Sequence, residues 1–358
     1  MSYECYDCGQ QYPVSPERFR CDCGGAFRFV TPSLPEQPPT QIDREKGLWA
    51  FDALMPVKRH VTLGEGWTPL VDAPERDASY KCEWLFPTGS FKDRGAAVTL
   101  SQAVEMRVSR VVEDSSGNAG AAIATYAARA GIEAEVFVPA EAKAGKLRAI
   151  ENSGATVRRV SGSRQDVTDA CLAAVASGEA WYASHAYQPA FFEGTATMAY
   201  EVAAQREWQV PDAVVTPLGH GTLFVGLYLG FSRLKHAGWT ETIPRLYGVQ
   251  AAGIAPIVAA RHGSAAARGE NDLADGIQIQ RPVREAEIHD AIDTTDGDVI
   301  AVSRTQTASE YRHLARQGFH VEPTCAVAPV GYDHFRAQGE IEPGEDVVIA
   351  LTGSGLML

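Results

Sequence analysis

A lysine stands at the start of a predicted helix, inside the motif PTGSFKDRG. Gly89 and Ser90 favour a tight turn and a helix N-cap, and the apolar spacing that follows predicts a helix with Lys92 in its first turn. The positive end of a helix dipole disfavours an ammonium group, and the neutral amine is the form that attacks an aldehyde. The motif therefore indicates an imine-forming lysine. Most lysines in such loops are solvated surface charges, and the motif alone leaves that alternative open.

The motif SSGNAG follows a β-branched run and opens a second predicted helix. Ser115, Ser116 and Asn118 present side-chain donors beside backbone amides at the helix start, which suits a carboxylate. Asn118 is also suited to donate to a ring hydroxylate. Ordinary helix capping explains the same residue types and stays open as an alternative.

Two more segments end predicted strands in glycines and hydroxyls. In PLGHGT, Gly219 and Gly221 let the backbone approach a ligand closely at a helix start, where phosphate commonly binds. In the terminal LTGSGL, Thr352 or Ser354 is suited to hydrogen-bond a ring nitrogen at the carboxyl end of a strand. A lysine, a carboxylate seat, a phosphate seat and a hydroxyl together suit one small phosphorylated aldehyde with a pyridine ring.

Alternating strands and helices must position these segments. The hydrophobic pattern predicts strands at 109–113, 135–138, 156–160, 213–216, 246–250 and 346–351, and helices at 119–130, 143–152, 223–236, 311–316 and 326–336. Gly131 is expected to stop the helix at 119–130. Strands separated by helices imply parallel sheets with helices on both faces, and thus an α/β fold. Residues 262–292 show no regular pattern and are left unassigned.

The bulk composition limits the function classes. With 358 residues, 45% of them hydrophobic, the chain is too long for one ordinary core and predicts two domains plus a small extra. Its 32 Lys and Arg against 45 Asp and Glu give a net charge of −13, which argues against a nucleic-acid or acidic-membrane partner. No apolar run or leader pattern predicts a membrane segment or secretion, so we expect a cytoplasmic protein.

Once these motifs are set side by side, a family resemblance is clear. PTGSFKDRG, SSGNAG, GEGWTPL and LTGSGL resemble the fold-type-II pyridoxal-phosphate enzymes, most closely the threonine synthase group, in the expected order over nearly the whole chain. The resemblance implies two doubly wound, three-layer α/β domains of the tryptophan synthase β kind, with the cofactor in the cleft between them. The implied domains are a zinc ribbon at 1–33, a smaller α/β domain at 76–189, and a larger one formed by 34–75 with 190–358.

The resemblance also assigns roles to residues. Lys92 is expected to bind the cofactor aldehyde and then to transfer protons at the substrate α-carbon. Asn118 would face the ring 3-oxygen and Thr352 the ring nitrogen, where a hydroxyl tempers the ring as an electron sink. The implied pyridoxal-phosphate-binding residues are Lys92, Asn118, Gly219, His220, Gly221, Thr222, Leu223 and Thr352, and the implied substrate-binding residues are Thr68, Ser115, Ser116 and Ala119.

The N-terminal cysteines resemble the two knuckles of a zinc ribbon found ahead of archaeal-type threonine synthases. Cys5-x2-Cys8 and Cys21-x-Cys23 would supply four thiolates to one structural zinc ion, which a segment of this size needs in order to fold. The second knuckle departs from the usual C-x2-C spacing and tightens the geometry. Four cysteines without metal are the alternative.

The resemblance predicts a carbon–oxygen lyase that converts O-phosphohomoserine and water into threonine and phosphate, acting as a homodimer on a small amino-acid substrate. Ala196 stands where relatives commonly carry a lysine, and Trp67 replaces a small or polar residue. These departures keep open a β-elimination or β-replacement on serine, threonine or phosphoserine, as in dehydratases or cysteate synthases. A non-catalytic scaffold whose ribbon docks a partner is the third hypothesis.

Several basic residues and histidines are candidates for binding a substrate phosphate or a metal, although they belong to no motif. Cations that could meet a substrate phosphate are Arg94, Lys143, Lys146, Arg148 and Arg164, and each is equally explained as a solvated surface charge. The spacing of His60, His185 and His220 matches no metal motif, so we expect structural histidines rather than a catalytic zinc site.

Overall fold

The computed structural model describes residues 1–30, 34–35, 37–142 and 144–357, and it describes no side chains for 144–146 and 357. The predictions that concern Lys143 and the Lys146 side chain therefore lie outside the described residues, as do residues 31–33 of the predicted ribbon domain. The chain forms two compact units: unit 1 comprises Met1–Leu34, Gln41–Gly66 and Lys92–Thr195, and unit 2 comprises Pro35–Thr40, Trp67–Phe91 and Ala196–Leu358. These two units do not test the domain boundaries that were expected from the sequence, and those boundaries stay a prediction.

Strands and helices alternate through most of the chain. The strands are β1 (Ser2–Cys5), β2 (Gln11–Pro13), β3 (Phe27–Phe29), β4 (Leu70–Ala73), β5 (Ala78–Lys81), β6 (Arg110–Glu113), β7 (Glu133–Pro139), β8 (Thr156–Val160), β9 (Trp181–Tyr182), β10 (Ala213–Pro217), β11 (Arg245–Ala251), β12 (Asp298–Val302) and β13 (Val347–Ala350). The α-helices are α1 (Lys92–Glu105), α2 (Asn118–Ala130), α3 (Ala144–Asn152), α4 (Arg164–Ala176), α5 (Pro189–Gln205), α6 (Thr222–His236), α7 (Pro256–His262), α8 (Glu285–Thr294), α9 (Arg304–Arg316) and α10 (Val327–Gln338). Short 3-10 helices span Arg44–Leu54, Asp275–Ile277, Pro323–Ala326 and Gly355–Met357.

Unit 1 contains a small antiparallel sheet and a parallel one. The small sheet has the order β2-β1-β3 and is filled by aromatic rings, with Tyr3 stacked on Phe27 at 5.2 Å. The parallel sheet has the order β8-β7-β6-β9. Because side chains alternate along β7, Val136 and Val138 join a core with α2 and α3, whereas Phe137 joins another with α4. Helices on both faces make this sheet the middle of three layers.

Unit 2 is built on a six-stranded sheet of order β12-β11-β10-β13-β5-β4. All neighbouring strands pair in parallel except the edge strand β4, which is antiparallel to β5. Helix α10 packs on the sheet face that carries Val215 and Val249. Gly331 lets it approach, since a Cβ at this position would lie 2.2 Å from a methyl group of Val249.

The predicted fold class is confirmed, and so are the regular elements between residues 109 and 160. Strand β8 has the predicted bounds, and α2 ends where Gly131 adopts the left-handed conformation at φ 69°. The sequence patterns missed α4, α5, β5 and β12, and the unassigned segment contains the end of α7 and most of α8. No helix in the described part of the chain is both long and apolar enough to cross a bilayer.

A buried ion pair in unit 2 supports the turn at Thr68, in the second half of the GEGWTPL motif. The Lys81 ammonium lies 2.5 Å from a carboxylate oxygen of Glu201, and neither side chain is exposed. The same ammonium donates to the backbone carbonyl of Thr68 at 2.7 Å and to the Gln205 side chain at 2.9 Å. The Thr68 hydroxyl donates to Glu83 at 2.6 Å. Hydrogen bonds from the Lys81 ammonium and to the Glu83 carboxylate thus hold the turn that contains Thr68.

We expect Lys81→Met to lower the free energy of unfolding by about 3–5 kcal/mol, because Glu201 would keep its buried charge without its cation. The double variant Lys81→Met with Glu201→Leu should recover most of that loss. Arg304→Met is the matched control, since Arg304 and Asp272 form a 2.6 Å pair whose side chains are 50% and 73% exposed. Urea unfolding of the three variants checks this; equal losses for Lys81→Met and Arg304→Met, within about 1 kcal/mol of wild type, would contradict it.

Candidate active site

Lys92 is the first residue of α1, as the lysine motif predicted, and it is half-buried. Its ammonium nitrogen lies 5.7 Å from the centre of the Phe191 ring. The same ring packs on the first turn of α1, because a Cβ at Gly95 would lie only 2.3 Å from its atoms. Glycine at position 95 therefore allows an aromatic ring to cover the base of the lysine.

A hydrogen-bond chain supports the same turn within unit 1. Asp93 is fully buried and lies 3.3 Å from the Tyr126 hydroxyl of α2. That hydroxyl also lies 3.0 Å from Glu65 of the GEGWTPL motif, and Glu65 accepts from the Trp49 indole at 3.0 Å. Burial raises the pKa of Glu65. Tyr126 thus connects the acidic residue of the lysine motif to that of the GEGWTPL motif.

The SSGNAG segment forms a tight loop at the start of α2. Asn118 is the first helical residue, and its N-cap Gly117 supplies no side-chain cap. The Ser115 hydroxyl accepts from the Gly117 amide at 3.3 Å. A Cβ at Gly120 would lie 1.9 Å from the Ser115 carbonyl oxygen, so only glycine lets the loop close. Ser115, Ser116 and Asn118 are half-buried, whereas Ala119 is buried.

Asp114 anchors this loop to the sheet. Its buried carboxylate accepts from Arg164 at 2.9 Å, Thr168 at 2.8 Å and the Tyr182 hydroxyl at 2.8 Å. Burial alone would raise the pKa of Asp114, but Arg164 and Thr168 outweigh it and lower that pKa. The carboxylate therefore stays charged and holds Ser115, the next residue, in place.

A buried acid–imidazole pair lies beside the lysine. Glu113 and His185 approach to 2.6 Å, between a carboxylate oxygen and Nδ1. Burial raises the pKa of Glu113 well above its usual range and lowers the pKa of His185 well below its own. Both shifts favour a neutral pair, in which the carboxyl proton is donated to the imidazole nitrogen. The His185 ring lies 6.1 Å from the Phe191 ring, the same ring that lies 5.7 Å from the Lys92 nitrogen.

In unit 2, the predicted phosphate segment connects β10 to α6. Gly221 adopts φ 78° as the N-cap of α6 and supplies no side-chain cap, and Thr222 is the first helical residue. Both glycines are closely packed from behind: a Cβ at Gly219 would lie 3.0 Å from Ile277, and one at Gly221 would lie 2.6 Å from Ile288. The segment therefore presents the start of a 15-residue helix without a capping side chain.

Thr352 follows β13, the parallel neighbour of β10, so the two segments leave the same edge of the sheet. Its carbonyl accepts from the Phe91 amide at 3.1 Å, and the Ser354 amide donates to the Gly89 carbonyl at 2.7 Å. The Cys325 sulfur accepts from the Thr352 and Gly353 amides at 3.1 and 3.0 Å. These bonds join the terminal LTGSGL segment to the PTGSF segment that leads into the lysine.

Thr68, the remaining residue that was predicted to bind substrate, is a buried residue of unit 2. It is only 2% exposed, and its hydroxyl is bound to Glu83. Its neighbour Trp67 has φ 51°, in the left-handed region that a bulky residue rarely adopts. The substrate role expected for Thr68 stays a prediction.

The four N-terminal cysteines form one cluster in unit 1. Their sulfur atoms all lie within 4.8 Å of one another, and the pairs Cys5–Cys23, Cys8–Cys23 and Cys8–Cys21 are 3.5–3.6 Å apart. Sulfurs around a tetrahedral zinc ion at about 2.3 Å would be about 3.8 Å apart. The Tyr12 hydroxyl, 3.4 Å from Cys21, lowers the pKa of that thiol to about 6, aided by the Cys23 amide. The shortened C-x-C knuckle therefore still brings both of its sulfurs into the cluster.

Sequence reasoning missed Glu113 and Asp114, and it expected His185 only as a structural histidine. The sequence contained one signal for Glu113 and Asp114, which is a pair of adjacent acidic residues at the end of a β-branched run. A charge buried at a strand end is destabilising unless hydrogen-bond or ion-pair partners are close. Their partners His185, Arg164 and Tyr182 lie 50 to 72 positions away along the chain, so no local pattern could find them. Arg164, expected as a surface charge or phosphate partner, is paired with Asp114.

Comparisons with known proteins agree with this geometry. Residues 61–353 match the family described as pyridoxal-phosphate dependent enzyme. The threonine synthase of Methanocaldococcus jannaschii is 32% identical over 99% of this chain and 93% of that protein. The threonine synthase of Methanosarcina acetivorans is 32% identical over 98% of this chain and 90% of that protein. The structure of maize serine racemase superposes with a TM-score of 0.69 at 21% identity, covering 88% of this chain and 93% of that one, which shows the shared fold.

Three observations support the same family assignment. Residues 61–353 match the family, the similarity to threonine synthases covers nearly the whole chain, and a lysine lies in the first turn of α1. The chain belongs to the pyridoxal-phosphate-dependent enzyme family, in its threonine-synthase-like group.

Proposed function

We propose that the chain converts O-phosphohomoserine and water into threonine and phosphate. The observation that carries the proposal is the similarity to threonine synthases along almost the entire chain, including the lysine motif at α1. A non-catalytic scaffold would have no need for Lys92, Asn118 and the Gly219–Gly221 pair at helix starts, and their presence argues against it.

The residues of each unit fit the cofactor. Helices α2 and α6 both begin at glycine N-caps without a capping side chain, and a helix start of this kind attracts anions. In unit 2 the amides of Gly219, Gly221, Thr222 and Leu223, with His220, would hold the phosphate, and Thr352 would meet the ring nitrogen. In unit 1 Lys92 would hold the aldehyde carbon, and Asn118 would donate to the ring oxygen.

When bound, the cofactor withdraws the electrons that proton removal leaves at the substrate α-carbon. Ser115, Ser116 and the amide of Ala119 would hold the substrate carboxylate at the start of α2. Lys92 would take protons from the α- and β-carbons, after which phosphate leaves the γ-carbon. It would then return protons to the γ-carbon and, after water adds at the β-carbon, to the α-carbon. The Phe191 ring over Lys92 would keep bulk water from the amine.

A second candidate is elimination or replacement at the β-carbon of serine, threonine or phosphoserine. Among the described residues, the candidate cations favour its serine and threonine forms: Arg94 is fully buried, Arg164 is bound to Asp114, and Arg148 is exposed. Ala196, where relatives commonly carry a lysine, presents only a buried methyl group. O-phosphohomoserine and phosphoserine both need cations near their phosphate, whereas serine and threonine do not.

We expect Lys92→Ala to lose the visible absorption of the cofactor-loaded protein and its turnover, because no other amine would form the imine. Borohydride reduction followed by peptide mass spectrometry should place the cofactor on residue 92 of the wild-type protein. Lys235→Ala, which removes an exposed lysine near the end of α6, is the control and should keep both properties. Retained colour and turnover in Lys92→Ala would refute the assignment.

The substrate proposal predicts equal amounts of threonine and phosphate from O-phosphohomoserine, with no 2-oxo acid. Parallel assays with serine, threonine and phosphoserine should give a kcat/KM at least about tenfold lower, a difference of about 1.4 kcal/mol in transition-state stabilisation. A higher kcat/KM for 2-oxo acid formation from serine or threonine would transfer the proposal to the second candidate. A wild-type protein that stays colourless with added pyridoxal phosphate would support the scaffold hypothesis instead.

We also propose that the cysteine cluster holds one structural zinc ion. The proposal is supported by four sulfurs within 4.8 Å of one another and by closely packed or left-handed glycines beside the knuckles. A Cβ at Gly25 would lie 2.7 Å from the Cys5 sulfur, and Gly9 and Gly24 have φ of 71° and 95° beside the knuckles.

Cys8→Ala should reduce bound zinc from one ion per chain to well below one and should lower the melting temperature, because a closed site needs four ligands. Cys82→Ala is the matched control, since Cys82 is a buried cysteine of unit 2 outside the cluster. Elemental analysis of the purified variants measures the difference. Equal zinc content in both variants would show that the cluster is not the metal site.

The family expectations of a homodimer and of a cytoplasmic location stay predictions. Sedimentation of the purified chain and fractionation of the host cell test them.

A further inference from the structure

The ribbon contacts the rest of unit 1 through Phe19, which stands two positions before Cys21. Its ring packs edge-on against Tyr182 and Tyr187, with both pairs of ring centres 5.2 Å apart and interplanar angles of 86° and 85°. The guanidinium of Arg20 lies over the same ring at 5.3 Å. Phe19 is thus a partly buried member of the core that contains Tyr182.

Tyr182 connects Phe19 to the SSGNAG loop. Its hydroxyl donates to Asp114 at 2.8 Å, and Asp114 directly precedes Ser115. The ring of Tyr182 is therefore held by the ribbon on one side and by the loop anchor on the other. A shift of the ring moves the hydroxyl, and with it the carboxylate that positions the loop.

A second contact connects the ribbon to α1. The Gln102 side chain donates to the Tyr3 hydroxyl at 2.6 Å, and both residues are almost fully buried. Tyr3 lies on β1 and stacks on Phe27 of β3, whereas Gln102 lies on the helix that begins at Lys92. The ribbon therefore contacts both the last turn of the helix that begins at Lys92 and, through Phe19, the core next to the SSGNAG loop.

We propose that Phe19 is a positioning residue for the SSGNAG loop, acting through Tyr182 and Asp114, so that the folded ribbon sets the affinity of this loop for cofactor and substrate. The inference rests on the proposed function for the ligands of the loop, but the mechanical connection is independent of it. Loss of the edge-to-face ring contacts should weaken binding about two- to tenfold, the range expected for such pairs.

The test compares full-length Phe19→Ala with Phe19→Leu, Tyr182→Phe and the control Arg28→Ala. Arg28 is an exposed residue of β3 that pairs with Glu4 and lies over Tyr6, so its removal alters the ribbon surface and not the contact with Tyr182. Amide hydrogen exchange over residues 113–120 is measured on protein freed of cofactor. The dissociation constant for pyridoxal phosphate and the substrate KM and kcat are then measured.

Phe19→Ala and Tyr182→Phe should each speed exchange in residues 113–120, weaken cofactor binding and raise KM, with kcat changed less than KM. Phe19→Leu should fall between wild type and Phe19→Ala, because it keeps apolar bulk but not the ring edge. Removal of metal by a chelator should shift exchange in the same direction, and Arg28→Ala should match wild type.

Unchanged exchange in residues 113–120 in folded Phe19→Ala would overturn the proposal. If Phe19→Ala does not fold, Phe19→Leu and Tyr182→Phe decide, and wild-type exchange in both would overturn it equally. Faster exchange together with unaltered affinity for pyridoxal phosphate would keep the mechanical connection and reject the proposed role of the loop. Failure of the mechanical connection and failure of the proposed binding role of the loop therefore give different results.

Discussion

The chain depends on two helix starts that carry no capping side chain. A polar N-cap side chain typically stabilises a helix by a few tenths of a kcal/mol relative to glycine, and both α2 and α6 lack one at Gly117 and Gly221. The backbone amides at these positions then depend on a bound anion, on neighbouring side chains or on water. Side chains packed closely against the glycines of these loops, such as Val136, Ile277 and Ile288, keep the helix starts in place.

Two buried pairs, one in each unit, treat charge differently. Unit 1 places Glu113 against His185, where opposite pKa shifts favour two neutral groups that share a proton. Unit 2 retains full charges in the Lys81–Glu201 pair and surrounds them with hydrogen-bond partners. A neutral pair close to Lys92 adds little field to the amine, whereas a charged carboxylate there would favour its ammonium form. Burial that favours the neutral form of Glu113 thus favours the neutral amine at Lys92 as well.

The sequence predicted what local chemistry determines. Glycine stops, β-branched runs and helix periodicity gave α2, β8 and β10 closely, and the lysine motif placed Lys92 in the first turn of α1, where it is the first residue. Short strands such as β5, and helices such as α4 with little amphipathic contrast, were missed because their formation depends on partners far along the chain. The same limit applies to Thr68, whose bond to Glu83 requires the folded sheet. Capping motifs at Ser163 and Ser303 were visible in the sequence and would have improved the assignment of α4 and α9.

The backbone conformation of Trp67 affects which residues can replace it during evolution. An indole side chain at φ 51° stores backbone strain in every folded molecule, whereas glycine or asparagine would occupy that conformation more cheaply. Replacement by glycine, or by asparagine or aspartate to a smaller extent, would relieve the strain. A library randomised at this codon and sorted for thermal tolerance alone should thus enrich those residues, and persistence of tryptophan under growth selection would show that its ring has a function in the turn.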